Sequence, residues 1–296
     1  AANLPAVPSQ KGRASQWAAK TYLAKALIFQ KKYAAAKTLL EDVYRNSNKR
    51  LVANYHENYR NITNNNTESI FEVQYVEGPG GKASNFSYYF APFNSGTLAT
   101  GYALGAGSAA GWNIPTQDLI NAYEPNDRRF AASINVSFTD PITRRIVPFV
   151  QKYSNPPYLE RFNTGDNFII TRLPDVLLMQ AEALNESSFP NAEAFNLLNR
   201  VRLRAGLPSK TSDNTDAKLR VVSQADFRNA VALERRLELA FENHRWFDLV
   251  RTGQAATVMT AHAASEKALK SYILPNAFTT ISLIFPYPFR ETQITK

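Results

Sequence analysis

Charged residues of alternating sign, between positions 234 and 251, are the first candidates in this sequence for acid–base chemistry. They are Glu234, Arg235, Arg236, Glu238, Glu242, Arg245, Asp248 and Arg251. Arginine has no usable proton at neutral pH, and arginine neighbours hold carboxylates in their ionised form. Ion-pair networks perturb titration without performing catalysis, so we interpret the pattern as a structural network along a helical hairpin.

Other catalytic and metal-binding patterns are weak. The three histidines form no HExxH arrangement, and the chain contains no cysteine, so no metal site is predicted. Residues 105–110 match a dinucleotide-binding fingerprint loosely, but Gly111 and Pro115 follow where a helix is required. Carboxyl pairs for glycoside hydrolysis are defined by their separation in space, and nothing in the sequence singles one out. We therefore expect no enzyme and no cofactor.

Aromatic residues concentrate in two loops, 77–113 and 152–166, that lack a regular hydrophobic period. Long loops of this kind are usually functional or disordered. Sugar rings present flat C–H faces that stack on Tyr and Trp, while amide groups bind their hydroxyls. The candidate ligand-binding residues are Tyr88, Tyr89, Tyr102, Trp112, Asn85, Asn113, Tyr153 and Tyr158. Burial under the loop is the alternative for any single ring, whereas for the group we favour ligand contact.

Two helical hairpins of the tetratricopeptide type are predicted to position these loops. The first spans residues 12–46, where the small residues Ala24 and Ala36 allow two antiparallel helices to approach closely. The second spans residues 171–206, and Pro174 suits the first turn of its first helix. Such pairs bury their apolar faces by stacking on one another.

A third helical pair is predicted over residues 223–253. Ser223 and Asp226 resemble a capping box at the start of its first helix. We expect that helix to end at Asn243, which tolerates a left-handed backbone, and a short helix to follow over residues 245–251.

The predicted fold class is mainly α, with helical hairpins as a scaffold, long irregular insertions and a few short β-strands. We expect a single domain over residues 1–296 with a loop-rich insertion at 54–170. Within the insertion, residues 68–76 alternate as a strand does, and residues 114–129 contain a short helix. Residues 282–287 predict a short strand or an extended segment.

Composition narrows the function further. The net charge of +9 permits contact with nucleic acid, but the basic residues are spread along the chain and no reading motif accompanies them. We therefore predict a solvated basic surface and no nucleic-acid partner. No run of about 18 apolar residues is present, so no membrane-spanning helix is predicted.

The segment LERRLELAFENHRWFDLVRTG resembles the C-terminal signature of the SusD/RagB family of nutrient-binding lipoproteins. The matching residues are Glu234, Arg235, Glu238, Glu242, Arg245, Trp246, Asp248 and Arg251, whereas Leu237 and Asn243 stand at variable or glycine positions of the pattern. The segments RLPDVLLMQAEALNE, LNRVRLRAGLP, GRASQWAAKTYLAKALIFQKKYAAAK and IFPYPFRE are similar to other family elements. The resemblance covers nearly the whole chain but corresponds to the family's C-terminal portion.

Several expectations follow from this resemblance. The family's N-terminal helices, with the leader and the lipid-bearing cysteine, are expected to be missing, as in a fragment, a cleaved product or an unusual gene product. The implied function is glycan capture at the outer-membrane surface of Bacteroidota, as in starch-binding polysaccharide utilization systems, with transfer to a SusC-like TonB-dependent transporter. A lipid anchor outside this chain would provide the membrane attachment. The alternatives are a peptide-binding member of the family and an interaction scaffold with no small ligand.

Overall fold

Helices carry most of the secondary structure in this computed structural model, which describes residues 3–96, 109–156, 158 and 162–294. The helices are α1 (Gln16–Phe29), α2 (Tyr33–Asn46), α3 (Phe86–Phe90), α4 (Gln117–Ala122), α5 (Arg129–Ser133), α6 (Leu173–Ser187), α7 (Ala192–Arg204), α8 (Gln224–Glu238), α9 (Arg245–Arg251), α10 (Ala255–Leu269) and α11 (Phe289–Ile294). Short 3₁₀ helices occupy Tyr55–Tyr59 and Asn61–Thr63. The predicted mainly α fold is confirmed. Within the described ranges, every helix is too short or too polar to span a lipid bilayer.

The first predicted hairpin is formed by α1 and α2. Ser15 caps α1 by accepting a hydrogen bond from the backbone N–H of Ala18 at 3.2 Å. The turn passes through Lys31, which has a left-handed backbone (φ 57°). Ala24 and Ala36 are fully buried, as the small-residue pattern predicted. The apolar side chains of this pair form one cluster with Val176 of α6, so the first hairpin packs on the second.

The second predicted hairpin is formed by α6 and α7, and α6 is the most deeply buried helix of the frame. Pro174 lies in its first turn, as predicted. Leu177 and Leu178 of α6 belong to a core cluster that also contains Leu197 of α7 and Phe227 of α8. Helix α6 thus packs against α2, α7 and α8, which holds the helical frame together.

Two short antiparallel sheets accompany the helices. Strand β1 (Ser69–Val73) pairs with β4 (Phe168–Arg172), with irregular register between Ser69 and Glu72. Strand β2 (Ile134–Asn135) pairs with β3 (Phe149–Val150). The predicted strand at 68–76 is therefore present but shorter, and residues 282–287 form no strand, with bends at Leu283 and Ile284.

Helix α8 begins as predicted but ends earlier. Ser223 accepts a hydrogen bond from the backbone N–H of Asp226 at 3.1 Å, yet the helix ends at Glu238 instead of continuing to Asn243. The carbonyl oxygen of Glu238 accepts hydrogen bonds from the Tyr55 hydroxyl and the Arg172 guanidinium, both at 2.6 Å. These side chains satisfy a carbonyl group that further helical turns would otherwise use.

The backbone divides into two compact units, Ala1–Glu242 and Asn243–Lys296. Helix α8 belongs to the first unit, whereas α9, α10 and α11 belong to the second, so the two helices of the third predicted pair lie in different units. In the second unit α9 packs against α10, and Gly253 between them has a left-handed backbone (φ 71°). The single domain expected over residues 1–296 stays a prediction.

Candidate functional site

Glu238 lies at the centre of a buried network of charges. Its carboxylate accepts a hydrogen bond from Arg129 Nη1 at 3.1 Å and forms further ion pairs with Arg172 and Arg204. Burial alone would raise the pKa of Glu238, but the charges of Arg204, Arg172 and Arg129 hold that pKa well below its usual range. Glu238 is therefore a fixed anion, without a proton to exchange near neutral pH.

Glu242 is the second anion of the network. Its Oε1 accepts hydrogen bonds from Lys152 Nζ and the Tyr59 hydroxyl at 2.9 Å, and both its oxygens accept from the Arg172 guanidinium at 2.8 Å. Lys152 is fully buried, and burial lowers the pKa of its ammonium to about 8. The ammonium also donates to the carbonyl oxygen of Ala240 at 2.6 Å. Lys152 therefore binds both the backbone that follows α8 and the carboxylate of Glu242.

The remaining charges of the stretch also pair mainly with distant elements. Glu234 accepts from Arg129 at 2.5 Å and Arg202 at 3.2 Å. Arg235 pairs with Asp175 and Arg236 pairs with Asp118, whereas the Asp248–Arg251 pair follows the predicted hairpin spacing. The network thus joins helices from across the first unit instead of running along one hairpin. Arg245 and Trp246 begin α9 in the second unit.

The aromatic candidates gather around α3, a short helix inside the loop that was predicted to be irregular. The ring of Tyr89 stacks on the ring of Trp112, with centroids 4.7 Å apart and planes 2° apart. The backbone N–H of Trp112 donates to the carbonyl oxygen of Tyr89 at 2.7 Å, and that of Gly111 donates to Ala91 at 3.0 Å. The Trp112 side chain is 59% exposed, so one aromatic face is presented to solvent.

Two further exposed rings extend this surface. Phe93 is 56% exposed, and its backbone lies against Gly111, while Phe162 is 40% exposed and lies 6.5 Å from the Tyr89 ring. We call Tyr89, Trp112, Phe93 and Phe162 the aromatic platform. Both phenylalanines lie in the two predicted loops, but only Tyr, Trp and Asn residues of those loops were predicted to contact ligand. Their proximity to Gly111 and Tyr89 is a long-range property that no local pattern signals.

Two predicted amides lie beside the platform. Asn85 donates from Nδ2 to the Tyr89 hydroxyl at 3.1 Å, which orients the ring that supports Trp112. Asn113 is exposed and follows Trp112 with a left-handed backbone (φ 54°). Their contact with the hydroxyls of a ligand stays a prediction.

Three predicted contact residues are buried instead. Tyr88 is 0% exposed, Tyr153 is 3% exposed and Tyr158 is 5% exposed. Tyr158 forms a hydrogen bond with Ser87 Oγ at 2.9 Å, and the Tyr153 hydroxyl donates to the carbonyl oxygen of Phe241 at 3.1 Å. Contrary to the prediction, these rings are buried in this structure, because Tyr88 packs against Tyr158 with 6.1 Å between ring centroids and Tyr153 packs against Phe86 at 5.8 Å. Tyr102 lies outside the described residues.

A carboxyl group is buried four residues beyond Phe162. Asp166 is 3% exposed and accepts a hydrogen bond from Asn155 Nδ2 at 3.3 Å. Burial raises the pKa of this carboxyl group to about 6. Among the described residues it forms no salt bridge, and no cluster of three metal-ligating side chains occurs in the same set. The hydrogen bond from Asn155 therefore joins Asp166 to the 152–156 segment.

The chain is similar in sequence to proteins of one known family. The model of the SusD family matches residues 139–295. The SusD-like protein P25 of Formosa agariphila is 31% identical, and the match covers 82% of this chain and 50% of that protein. A SusD-like protein of Bacteroides ovatus is 28% identical, with 82% of this chain and 46% of that protein covered. The chain thus spans about half the length of these relatives.

Solved structures share the fold. A laminarin-binding SusD-like protein superposes with a TM-score of 0.72 at 28% identity, covering 99% of this chain and 64% of that one. Surface glycan-binding protein A of Bacteroides thetaiotaomicron, in complex with laminarihexaose, superposes with a TM-score of 0.68 at 21% identity over 86% of this chain and 58% of that one. The second likeness concerns the fold alone.

Proposed function

We propose, on the premise that this chain belongs to the SusD family, that it binds glycan on the aromatic platform and passes it to a SusC-like TonB-dependent transporter. The protein would act at the outer-membrane surface, held there by a lipid anchor outside this chain. The family membership supports this role, and the platform is the part of the chain to which we assign it.

The stacked pair of Tyr89 and Trp112 is the observation that carries the proposal. An indole that is 59% exposed gains little from the folded core, so its position is not explained by packing. Stacking on Tyr89 and the backbone hydrogen bond of Trp112 fix the ring before any ligand arrives. A preformed aromatic face binds the C–H face of a sugar ring without the cost of ordering the side chain.

The carboxyl groups near the platform are consistent with a protein that binds glycan without hydrolysing it. Glycoside hydrolysis requires two carboxyl groups that flank the scissile bond. Asp140 and Asp166, which lie near the platform in the described part of the chain, are 6% and 3% exposed. Asp140 accepts hydrogen bonds from the backbone N–H groups of Ile142 and Thr143 at 2.8 Å. Its carboxylate therefore stabilises a turn of the backbone. These features support binding over catalysis.

A second candidate function, contact with a protein partner, is favoured by residues 269–294. Large apolar side chains in this segment are exposed, namely Leu269, Tyr272, Leu274, Leu283, Ile284, Phe285, Tyr287, Phe289 and Ile294. Exposed apolar surface of this extent is typical of interaction sites. The same chain can therefore dock a partner and bind glycan, or, as the alternative, bind peptide or act as a scaffold with no small ligand.

The test is isothermal titration calorimetry against a panel of neutral and anionic polysaccharides that includes laminarin. We expect saturable binding of at least one member, loss of that binding in Trp112→Ala, and retention in Phe247→Ala. Phe247 is a matched control because its ring is 46% exposed and lies outside the platform. Binding by wild type that survives in Trp112→Ala would refute the platform as the site, and the absence of any glycan binding would refute the function.

A further inference from the structure

A rigid turn that carries two arginines adjoins the aromatic platform. Thr139 and Ile146 form a bridge, and Asp140 and Arg145 are joined by a backbone hydrogen bond of 2.9 Å. The Asp140 carboxylate accepts from the backbone N–H groups of Ile142 and Thr143. Arg144 follows with a left-handed backbone (φ 59°). The turn from Thr139 to Ile146, the basic turn, is thus fixed by its own hydrogen bonds.

A side-chain hydrogen bond attaches the basic turn to the platform. Asn94 Nδ2 donates to Asp140 Oδ2 at 2.9 Å, and Asn94 directly follows Phe93 of the platform. Asp140 therefore has one oxygen bound to its own turn and the other bound to the platform loop. The backbone of the turn that carries the two arginines is thus joined to the loop that carries Phe93.

The two arginines have no neutralising partner in the part of the chain that the structure describes. Arg144 and Arg145 are both exposed. No salt bridge to either residue occurs among residues 3–96, 109–156, 158 and 162–294. Asp140 is the nearest carboxylate in sequence, and it accepts from three N–H groups other than those of the arginines. Two positive charges are left for a ligand.

A third exposed cation, Lys82, lies on another turn that adjoins the platform. The backbone N–H of Val76 donates to the carbonyl oxygen of Lys82 at 2.9 Å, closing this turn. Gly78 and Asn163 exchange hydrogen bonds of 2.8 and 3.1 Å, which connects the turn to the residue after Phe162. Lys82 is exposed and forms no salt bridge within the described ranges. Cations therefore occur on two separate turns beside the platform.

The distribution of charge over the whole chain supports this arrangement. The chain has 34 Lys and Arg residues and 25 Asp and Glu residues. Among the described residues, five of the basic side chains are buried, against eleven of the acidic ones. More acidic than basic side chains are thus buried, so the surface is more positive than the net charge of +9 indicates. A positive surface attracts anionic ligands over a Debye length.

We propose that the ligand is an anionic polysaccharide, with carboxylate or sulfate groups on its sugar rings. This proposal rests on glycan binding at the platform and specifies its chemistry. One sugar ring stacks on Trp112, and the acid groups of neighbouring sugars pair with Arg144, Arg145 and Lys82. Guanidinium groups suit both anions because they donate parallel hydrogen bonds to two oxygens.

The test compares polygalacturonate, which carries carboxylates, and carrageenan, which carries sulfates, with neutral laminarin and with polyglutamate, an anion without sugar rings. The double variant Arg144→Asn/Arg145→Gln removes two charges, and Asn suits the left-handed position. The control is Lys31→Asn/Lys32→Gln, which removes two exposed charges from the α1–α2 turn, where Lys31 also has a left-handed backbone (φ 57°). Affinities are measured by calorimetry at two salt concentrations.

We expect polygalacturonate, carrageenan or both to bind more tightly than laminarin and polyglutamate. The arginine variant should lose about tenfold in affinity for the anionic glycan at low salt, with a smaller loss at high salt. The lysine control should match wild type, and Trp112→Ala should lose binding. Equal losses in both charge variants would overturn the proposal, as would tight binding of polyglutamate. Preferred binding of laminarin would overturn it while leaving glycan capture intact, and no binding of any glycan would overturn both.

Discussion

The indole of Trp112 lies parallel to the phenol ring of Tyr89, with 4.7 Å between their centroids. The two residues are 23 positions apart in the sequence, and the backbone hydrogen bond between them fixes the pair. Tyr89 covers one face of Trp112, so only the other face is available to a ligand. The pair is therefore a one-sided stacking surface whose orientation depends on Tyr89.

Tyr89→Ala should weaken glycan binding even though Trp112 remains. Without the Tyr89 ring the indole loses its fixed orientation, and ordering it on binding would cost about tenfold in affinity. The emission of Trp112 should shift to longer wavelength as its hidden face becomes hydrated. Tyr89→Phe keeps the stack and removes only the hydrogen bond from Asn85, so it serves as the control with near wild-type affinity.

Gly111→Ala should destabilise the fold and weaken the platform. Gly111 has a left-handed backbone (φ 65°), and an added Cβ would lie 3.3 Å from the backbone nitrogen of Phe93. Gly253→Ala provides the comparison, because Gly253 has a similar φ of 71° with no atom within 4 Å of the added Cβ. We expect Gly253→Ala to cost about 1 kcal/mol in urea denaturation and Gly111→Ala to cost more. Equal costs would contradict the close approach of Phe93.

Arg172→Met should be strongly destabilising. It leaves the buried carboxylates of Glu68, Glu238 and Glu242 without one of their cations, and removing one partner from a buried ion pair costs about 3–5 kcal/mol. The exposed pair of Arg45 and Glu41 is the control, since Arg45→Met should leave the free energy of unfolding unchanged within error. A small effect of Arg172→Met would contradict the structural interpretation of the network.

Asp166→Asn should stabilise the protein above pH 6. Burial raises the pKa of Asp166 from 3.8 to about 6, so the folded state binds a proton more tightly than the unfolded state does. Wild-type stability therefore falls as the pH rises from about 4 to 6, and the loss is complete above pH 6. The variant should gain about 1–3 kcal/mol at pH 8 and almost nothing at pH 4. Chemical denaturation at both values measures this difference, and a gain independent of pH would contradict it.

The sequence revealed those features that depend on neighbouring residues. The capping pair of Ser223 and Asp226, the close approach at Ala24 and Ala36, and the family signature are all encoded locally, and family membership is confirmed. The end of α8 depends on Tyr55 and Arg172, which lie far away in the chain, so no local pattern predicts it.

The aromatic site was harder to predict for a related reason. Tyr88 and Tyr89 are adjacent and chemically identical, yet one is buried and the other stacks on Trp112. Composition identified the loop as rich in rings, but only the fold of α3 decides which side each ring faces. Asn85 and Trp112 lie at the surface region that the sequence indicated, and their contact with ligand stays a prediction.

The most direct test of the account is the affinity of wild type and Trp112→Ala for the same bound polysaccharide, measured by calorimetry with circular dichroism to confirm folding. Stacking of a sugar ring on an aromatic ring is lost when the aromatic ring is removed, and we expect the affinity to fall by more than about tenfold. The account predicts that Trp112→Ala remains folded and loses binding, while Phe247→Ala retains it. A folded Trp112→Ala variant with wild-type affinity would contradict the central claim.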